Sequence, residues 1–195
     1  MNTSIQPNQS KSFLRKGYKS VPPPIEKSDS LHLHEQVDHN ELHDNPSRII
    51  CIAVDESDSS QYSFKWALEN FICKETDQVF LLHVRPYVSV PTYLSPVPML
   101  EDKETEYELD QCNRNFSHEL IRDFAKDLLN ENIKCRGFAL RGDPREEIVH
   151  KVNELNADVL IIGSRGMSTF KRMFIGSVSD YCVHHCHCTV IVPKE

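Results

Sequence analysis

Five short apolar runs punctuate the chain, at residues 48–54, 79–84, 134–140, 159–162 and 189–192. Between them the apolar positions change to helical spacing. Ile49 to Val54 and Val159 to Ile162 are continuous apolar stretches without polar alternation. That is the habit of strands buried on both faces, as in parallel sheets covered by helices. The third run alternates Cys135, Phe138 and Leu140 with polar residues imperfectly, which suits an edge strand. Ser63, Ala67 and Phe71, with the row Phe64, Leu68 and Ile72, predict the first helix. A long helix is predicted over 104–132, where Phe116, Leu120, Phe124 and Leu128 recur every fourth residue beside Ile121 and Leu129. Ile148, Val152 and Leu155 mark a third helix, and Val178, Tyr181, Cys182 and His185 a fourth. Strands alternating with helices predict a doubly wound α/β fold, a five-stranded parallel sheet with helices on both faces.

The polar segments between these elements carry stop and start signals. Residues 1–46 are rich in Ser, Asn, Pro and His and contain Pro22-Pro23-Pro24. Their apolar content is too low to offset the entropy of ordering, so a disordered tail is expected, with the folded domain at 47–195. Asp55 to Ser59 offer N-cap candidates for the first helix. Prolines 86, 91, 96 and 98 forbid regular structure over 85–103, which predicts a mobile flap near the ligand edge. Gly142-Asp143-Pro144 makes a turn, with Pro144 suited to a first helical position.

Composition narrows the chemistry. With 22 Lys+Arg against 29 Asp+Glu, the net charge of −7 argues against nucleic-acid partners. No apolar run approaches the roughly 20 residues that cross a bilayer. No apolar stretch follows the basic residues near the N-terminus, so no secretory signal is expected. Seven cysteines scattered through the elements fit reduced thiols in the cytoplasm, the nucleus remaining open. His32, His34, His39 and His43 lie in the flexible tail with no fixed ligand geometry. Cys182, His184, His185, Cys186, His187 and Cys188 straddle a helix end and a strand start, so their side chains diverge. Both groups are read without a metal, the second as packing. His83 has no nucleophile placed beside it and is read as a packed or hydrogen-bonded histidine.

The stretch 158–177 concentrates the functional signal. The apolar strand ends at Ile162, and Gly163-Ser164-Arg165-Gly166 opens a loop that closes at Gly176-Ser177, where the last helix begins. From Gly163 to Ser177 there is no Asp or Glu, but there are Arg165, Lys171 and Arg172. A strand, a glycine loop and a helix N-terminus form a natural anion site: small residues let backbone N–H groups approach and the helix adds a positive dipole end. Asp55 lies at the carboxyl end of the first strand, the edge where open α/β sheets bind ligands.

The spacing Gly163-x2-Gly166-x9-Gly176-Ser177 resembles the nucleotide-binding signature of the universal stress protein family. Ala53-Val54-Asp55, His83-Val84 and Gly142-Asp143-Pro144 are similar to that family's other strand ends, and the resemblance covers about residues 47–194. It implies the adenine-nucleotide α-hydrolase-like, Rossmann-like fold and ATP as ligand, with Mg2+ accompanying the phosphates. It also implies that Ala53, Val54 and Asp55 hold the adenosine, that Val84 lies against the adenine and that Gly142 is close to the ribose. Ile162 ends the fourth strand beside them. The phosphates are expected on the N–H groups of Gly163, Ser164, Arg165, Gly166, Gly176 and Ser177, with Ser177 and Ser179 donating hydroxyls and Val178 between them. A homodimer through the last strand is implied too. The alternatives are an ATP-hydrolysing or adenylyl-transferring enzyme of the same fold, or a nucleotide-free dimerisation module. The first would carry a glycine-rich loop at Asp55-Glu56-Ser57 or a Walker A motif, and neither is present.

Overall fold

Strands β2 (Arg48–Ala53), β3 (Asp77–Arg85), β4 (Cys135–Arg141), β5 (Val159–Ile162) and β6 (Thr189–Ile191) build the parallel sheet that the apolar runs predict. The structure is a computed structural model that describes residues 35–39, 42, 45–87, 103–164 and 175–194. All of these belong to Leu31–Glu195, one of the two units into which the chain divides. A further strand, β1 (Glu35–His39), precedes them. The order across the sheet is β1-β4-β3-β2-β5-β6, and every neighbouring pair is parallel except β1 with β4.

β1 corrects the reading of residues 1–46 as a uniformly disordered tail. Glu35 pairs with Ala139 and Val37 with Gly137. The main chain of β4 offers an unpaired ladder, and a polar segment can fill it without burying apolar surface of its own. β4 is therefore the edge of the parallel set but lies inside the six-stranded sheet.

Four helices cover the sheet: α1 (Asp58–Asn70), α2 (Lys103–Asn130), α3 (Pro144–Glu154) and α4 (Ser177–His185). Strand side chains alternate between two cores. Ile50, Ile52, Leu81 and Ile161 meet Phe64 and Ala67 of α1 and Ile121, Phe124 and Leu128 of α2. Cys51, Phe80, Leu82, Leu160 and Ile162 meet Ile148 and Val152 of α3 and Cys182 of α4. Phe64 packs edge-on against Phe124, with ring centroids 4.9 Å apart. The buried row of α2 is Ser117, Ile121, Phe124, Ala125 and Leu128. Phe116 and Leu129, placed by their spacing in or beside the apolar row, are exposed instead.

The caps fix where these helices begin. The Ser57 side chain accepts from the Ser60 amide at the head of α1. Asp143 accepts from the Arg145 amide at 2.9 Å, with Pro144 in the first position of α3. Each cap lies just beyond the carboxyl end of a strand, so the helix N-termini gather at one edge of the sheet.

Candidate functional site

That edge holds a cavity of about 780 Å3. The carboxyl ends of β2, β3 and β5 supply Ala53, Val54, Asp55, Val84, Ile162 and Gly163 to its wall. Gly176, Ser177, Val178 and Ser179 at the head of α4 complete the set, so ten of the residues singled out in the sequence meet in one space. Gly142 and Ser164 do not line it, and Arg165, Gly166 and most of the expected flap lie outside the described residues.

At the head of α4 the Gly176 amide already has a partner, unlike in the sequence expectation. The Gly176 amide donates to the Ser164 carbonyl at 2.7 Å. Gly176 instead takes the N-cap position of α4, with extended backbone and no side-chain cap bond. The first turn of a helix leaves its amides without intrahelical acceptors, here those of Ser177, Val178 and Ser179. The Ser179 hydroxyl donates back to the Gly176 carbonyl at 2.9 Å. The helix head brings its positive dipole end to the cavity.

Gly163 is required by packing. A Cβ there would stand 3.0 Å from the Ser59 backbone carbon and 3.1 Å from its carbonyl oxygen, so glycine lets α1 approach the end of β5. Ser59 and Ser164 share a hydroxyl hydrogen bond of 3.1 Å across the same junction. Gly142 has a φ of +154°, and a Cβ there would meet the Glu147 side chain at 2.8 Å, so its role is in the β4–α3 turn. Its amide donates to the Arg85 carbonyl at 3.0 Å.

Asp55 organises the loop after β2. Its Oδ1 accepts from the Ser57 amide at 2.9 Å and from the Ser57 hydroxyl, and its own amide donates to Ser60 Oγ at 2.9 Å. These bonds tie the loop together at the cavity wall, and Oδ2 takes no part in them. The Val54 amide donates to the Leu82 carbonyl at 2.9 Å, extending the β2–β3 ladder to the cavity edge.

On the α2 side of the sheet the cavity is walled by His83, Arg85, Asn113 and Phe116, none of which the sequence reading placed there as ligand contacts. His83 Nδ1 and the Ser117 hydroxyl share a hydrogen bond of 2.8 Å. Burial pulls the imidazole down to about 4, against a smaller upward pull from Asp55, so it is neutral at pH 7. A histidine–serine pair invites a nucleophile reading, but Ser117 is fully buried and does not line the cavity. Arg85 is 3 % exposed and donates from Nη1 to Asp110 Oδ1 at 2.5 Å. Arg141 Nε stands 3.3 Å from the same oxygen. For His83 and Arg85 a legible signal existed: two polar residues, two positions apart, at the carboxyl end of a strand with an apolar middle. Phe116 was hidden because its helical spacing assigned it to the core.

The thiols at the end of α4 pack inside. Cys182 is buried, and Cys186 and Cys188 are half-buried against the same core. Hydrogen bonding with Cys182 contributes most to raising Cys186 to about 12. Among the described residues, no cluster of three His, Cys, Asp or Glu side chains could hold a metal ion. No helix among them is long and apolar enough to cross a membrane.

An open α/β sheet with five parallel strands, a cavity at their carboxyl edge and a helix head beside it is the frame of the doubly wound class, whose sheets bind ligands at that edge. The sequence model of the universal stress protein family matches residues 46–194, and the chain belongs to that family. It is 34% identical over 157 residues to universal stress protein PHOS32 of Arabidopsis thaliana, an alignment covering 75% of this chain and 64% of that one. The chain thus spans a little under two thirds of that relative's length. Universal stress protein UspA from Lactobacillus plantarum shares the fold, with a TM-score of 0.61 at 22% identity over 76% of this chain and 99% of that one. So does a universal stress protein family protein from Arabidopsis thaliana solved with AMP bound, with a TM-score of 0.52 at 24% identity over 76% and 92%.

Proposed function

We propose that this protein binds an adenine nucleotide, ATP with Mg2+, in the cavity at the carboxyl edge of its sheet, and acts as a nucleotide-dependent regulatory switch of the stress-response type. The carrying observation is the first turn of α4, whose residues Ser177, Val178 and Ser179 line the same space as Asp55, Val84 and Gly163. A nucleoside laid across the ends of β3, β2 and β5 then directs its phosphates to that turn. Arg165 and Gly166 are proposed to close over them. An AMP-bound relative with the same fold supports the choice of ligand. All seven cysteines are free, which supports a reducing, cytoplasmic setting. The outer edge of β6, half-exposed through Val190 and Ile191, is the proposed seam of a homodimer.

Calorimetric titration of the wild type with Mg-ATP is expected to give a dissociation constant of about micromolar or tighter. The informative variant is Ser177→Asp. A carboxylate at the first position of α4 suits the helix dipole by about 0.3–1 kcal/mol and leaves the fold intact. It also occupies the place of the phosphates. Loss of binding with an unchanged or raised melting temperature supports the reading. Wild-type protein that gives no heat with Mg-ATP, or Ser177→Asp protein that binds as the wild type does, refutes it.

A further inference from the structure

The α2 wall of the cavity has no part in the anion site just proposed, and its chemistry is distinct. β3 and β5 are separated by β2, so two strand spacings, about 10 Å, lie between the end of β3 and Gly163. A nucleotide with its phosphates at α4 and its ribose over β2 brings its base to the end of β3, where Asn113 and Phe116 of α2 wall the cavity.

Asp110, Asn113 and Ser117 are spaced by three and four residues, so they share one face of α2. Asp110 accepts from the Arg85 guanidinium, and Ser117 shares a hydrogen bond with His83 Nδ1. That face is therefore turned to the end of β3, and both polar side chains of the strand end are already engaged. Asn113 stands between these two contacts. It lines the cavity, is half-buried and has no hydrogen-bond partner among the described residues. Phe116 also lines the cavity and is 41 % exposed. Its ring meets that of His83 in a T-shaped contact, with centroids 6.3 Å apart. The wall thus pairs an open aromatic surface with an uncommitted carboxamide. Those two groups suit a planar heteroaromatic base, which covers the ring and meets the amide with its polar edge.

We propose that Asn113 is the base-reading residue of this site: its amide pairs with the 6-amino group and N7 of adenine, while Phe116 covers part of the base. The proposal rests on the adenine-nucleotide reading above. A carboxamide carries an acceptor oxygen and two N–H donors. Adenine presents the complement, an amino donor beside the N7 acceptor. A 6-oxopurine presents O6 and N7, both acceptors. One of them faces the amide oxygen whichever way the side chain is turned, so the site favours adenine.

ATP and inosine triphosphate differ at C6, which makes them the probe pair. Each is titrated as its Mg complex into the wild type, Asn113→Ala and Asn113→Leu, and the ratio of the two dissociation constants is read. Both replacements are better helix formers than asparagine, so α2 is kept. The wild type is expected to favour ATP by about tenfold. In both variants ATP weakens by about tenfold and inosine triphosphate changes by less than about threefold, so the preference disappears. A merely structural role for Asn113 would weaken both nucleotides together and leave the ratio fixed. The proposal is overturned by a wild type that binds ATP without preferring it to inosine triphosphate. It is overturned equally by a preference that survives in both variants, which would place the reading of the base elsewhere, on the main chain of the strand ends. A wild type that binds neither nucleotide removes the adenine-nucleotide reading and this proposal with it.

Discussion

His83 is a histidine kept uncharged by where the strand places it. It is 8 % exposed at the end of β3, and burial, against a smaller upward pull from Asp55 and with a lesser push from Arg85, lowers it from 6.5 to about 4. Between about pH 4 and 6.5 the unfolded chain binds a proton that the folded chain refuses, so the histidine's contribution to stability is intact above 6.5 and is lost as the pH falls toward 4. The full difference corresponds to about 3 kcal/mol. Urea unfolding at pH 7.5, 6.5, 5.5 and 4.5 on the wild type and His83→Gln checks this, since glutamine can still pair with Ser117. The variant is expected to lose about 2 kcal/mol less than the wild type between pH 6.5 and 4.5. Equal losses would mean that His83 titrates normally. The residues legible in advance were those whose identity announces a backbone need, such as Asp55 beyond a buried strand and Ser177 at a helix head. Asn113 was not, because its place in the wall depends on how α2 crosses the sheet, which no local pattern encodes.

Among the elements, the five parallel strands and the four helices follow from apolar runs and helical spacing, and the structure places them where those patterns do. Their ends were harder to read. Gly163 looked like a phosphate glycine, yet its demand comes from α1: a methyl group at this position would press on the Ser59 main chain at 3.0 Å. Gly163→Ala is therefore expected to destabilise the fold by about 1–3 kcal/mol, the usual cost of overpacking a closed junction. Denaturant titration measures it, and hydrogen exchange should locate the loosening at the first turn of α1, near Ser59 and Ser60. An unchanged midpoint would show that α1 yields without cost. β1 escaped the sequence reading for a different reason. Glu35–His39 has no apolar periodicity, and its partner is the main-chain edge of β4. Pairing of that kind depends on a vacancy in the sheet, which the segment's own sequence cannot announce.

Charge sets the conditions under which the protein can hold an anion at all. The chain carries a net −7, and the cavity wall includes Asp55 and Glu56 within the same space as the α4 head. A triphosphate brought there meets repulsion that the α4 dipole only partly offsets, so a divalent cation on the phosphates is expected to carry much of the balance. Saturation at about a hundredfold the dissociation constant stabilises a folded protein by about 2.7 kcal/mol. For a chain of this length that raises the melting temperature by about 5–10 °C. Mg-ATP is expected to give this shift in a thermal melt, and ATP at the same concentration with excess EDTA less than half of it. The nucleotide-free protein should melt at the same temperature with and without EDTA, because the cation enters with the phosphates rather than through a site of its own. Shifts of equal size with and without EDTA would mean that the protein's own donors suffice and that Mg2+ has no place in the complex. An EDTA effect on the nucleotide-free protein would place a cation in the fold itself.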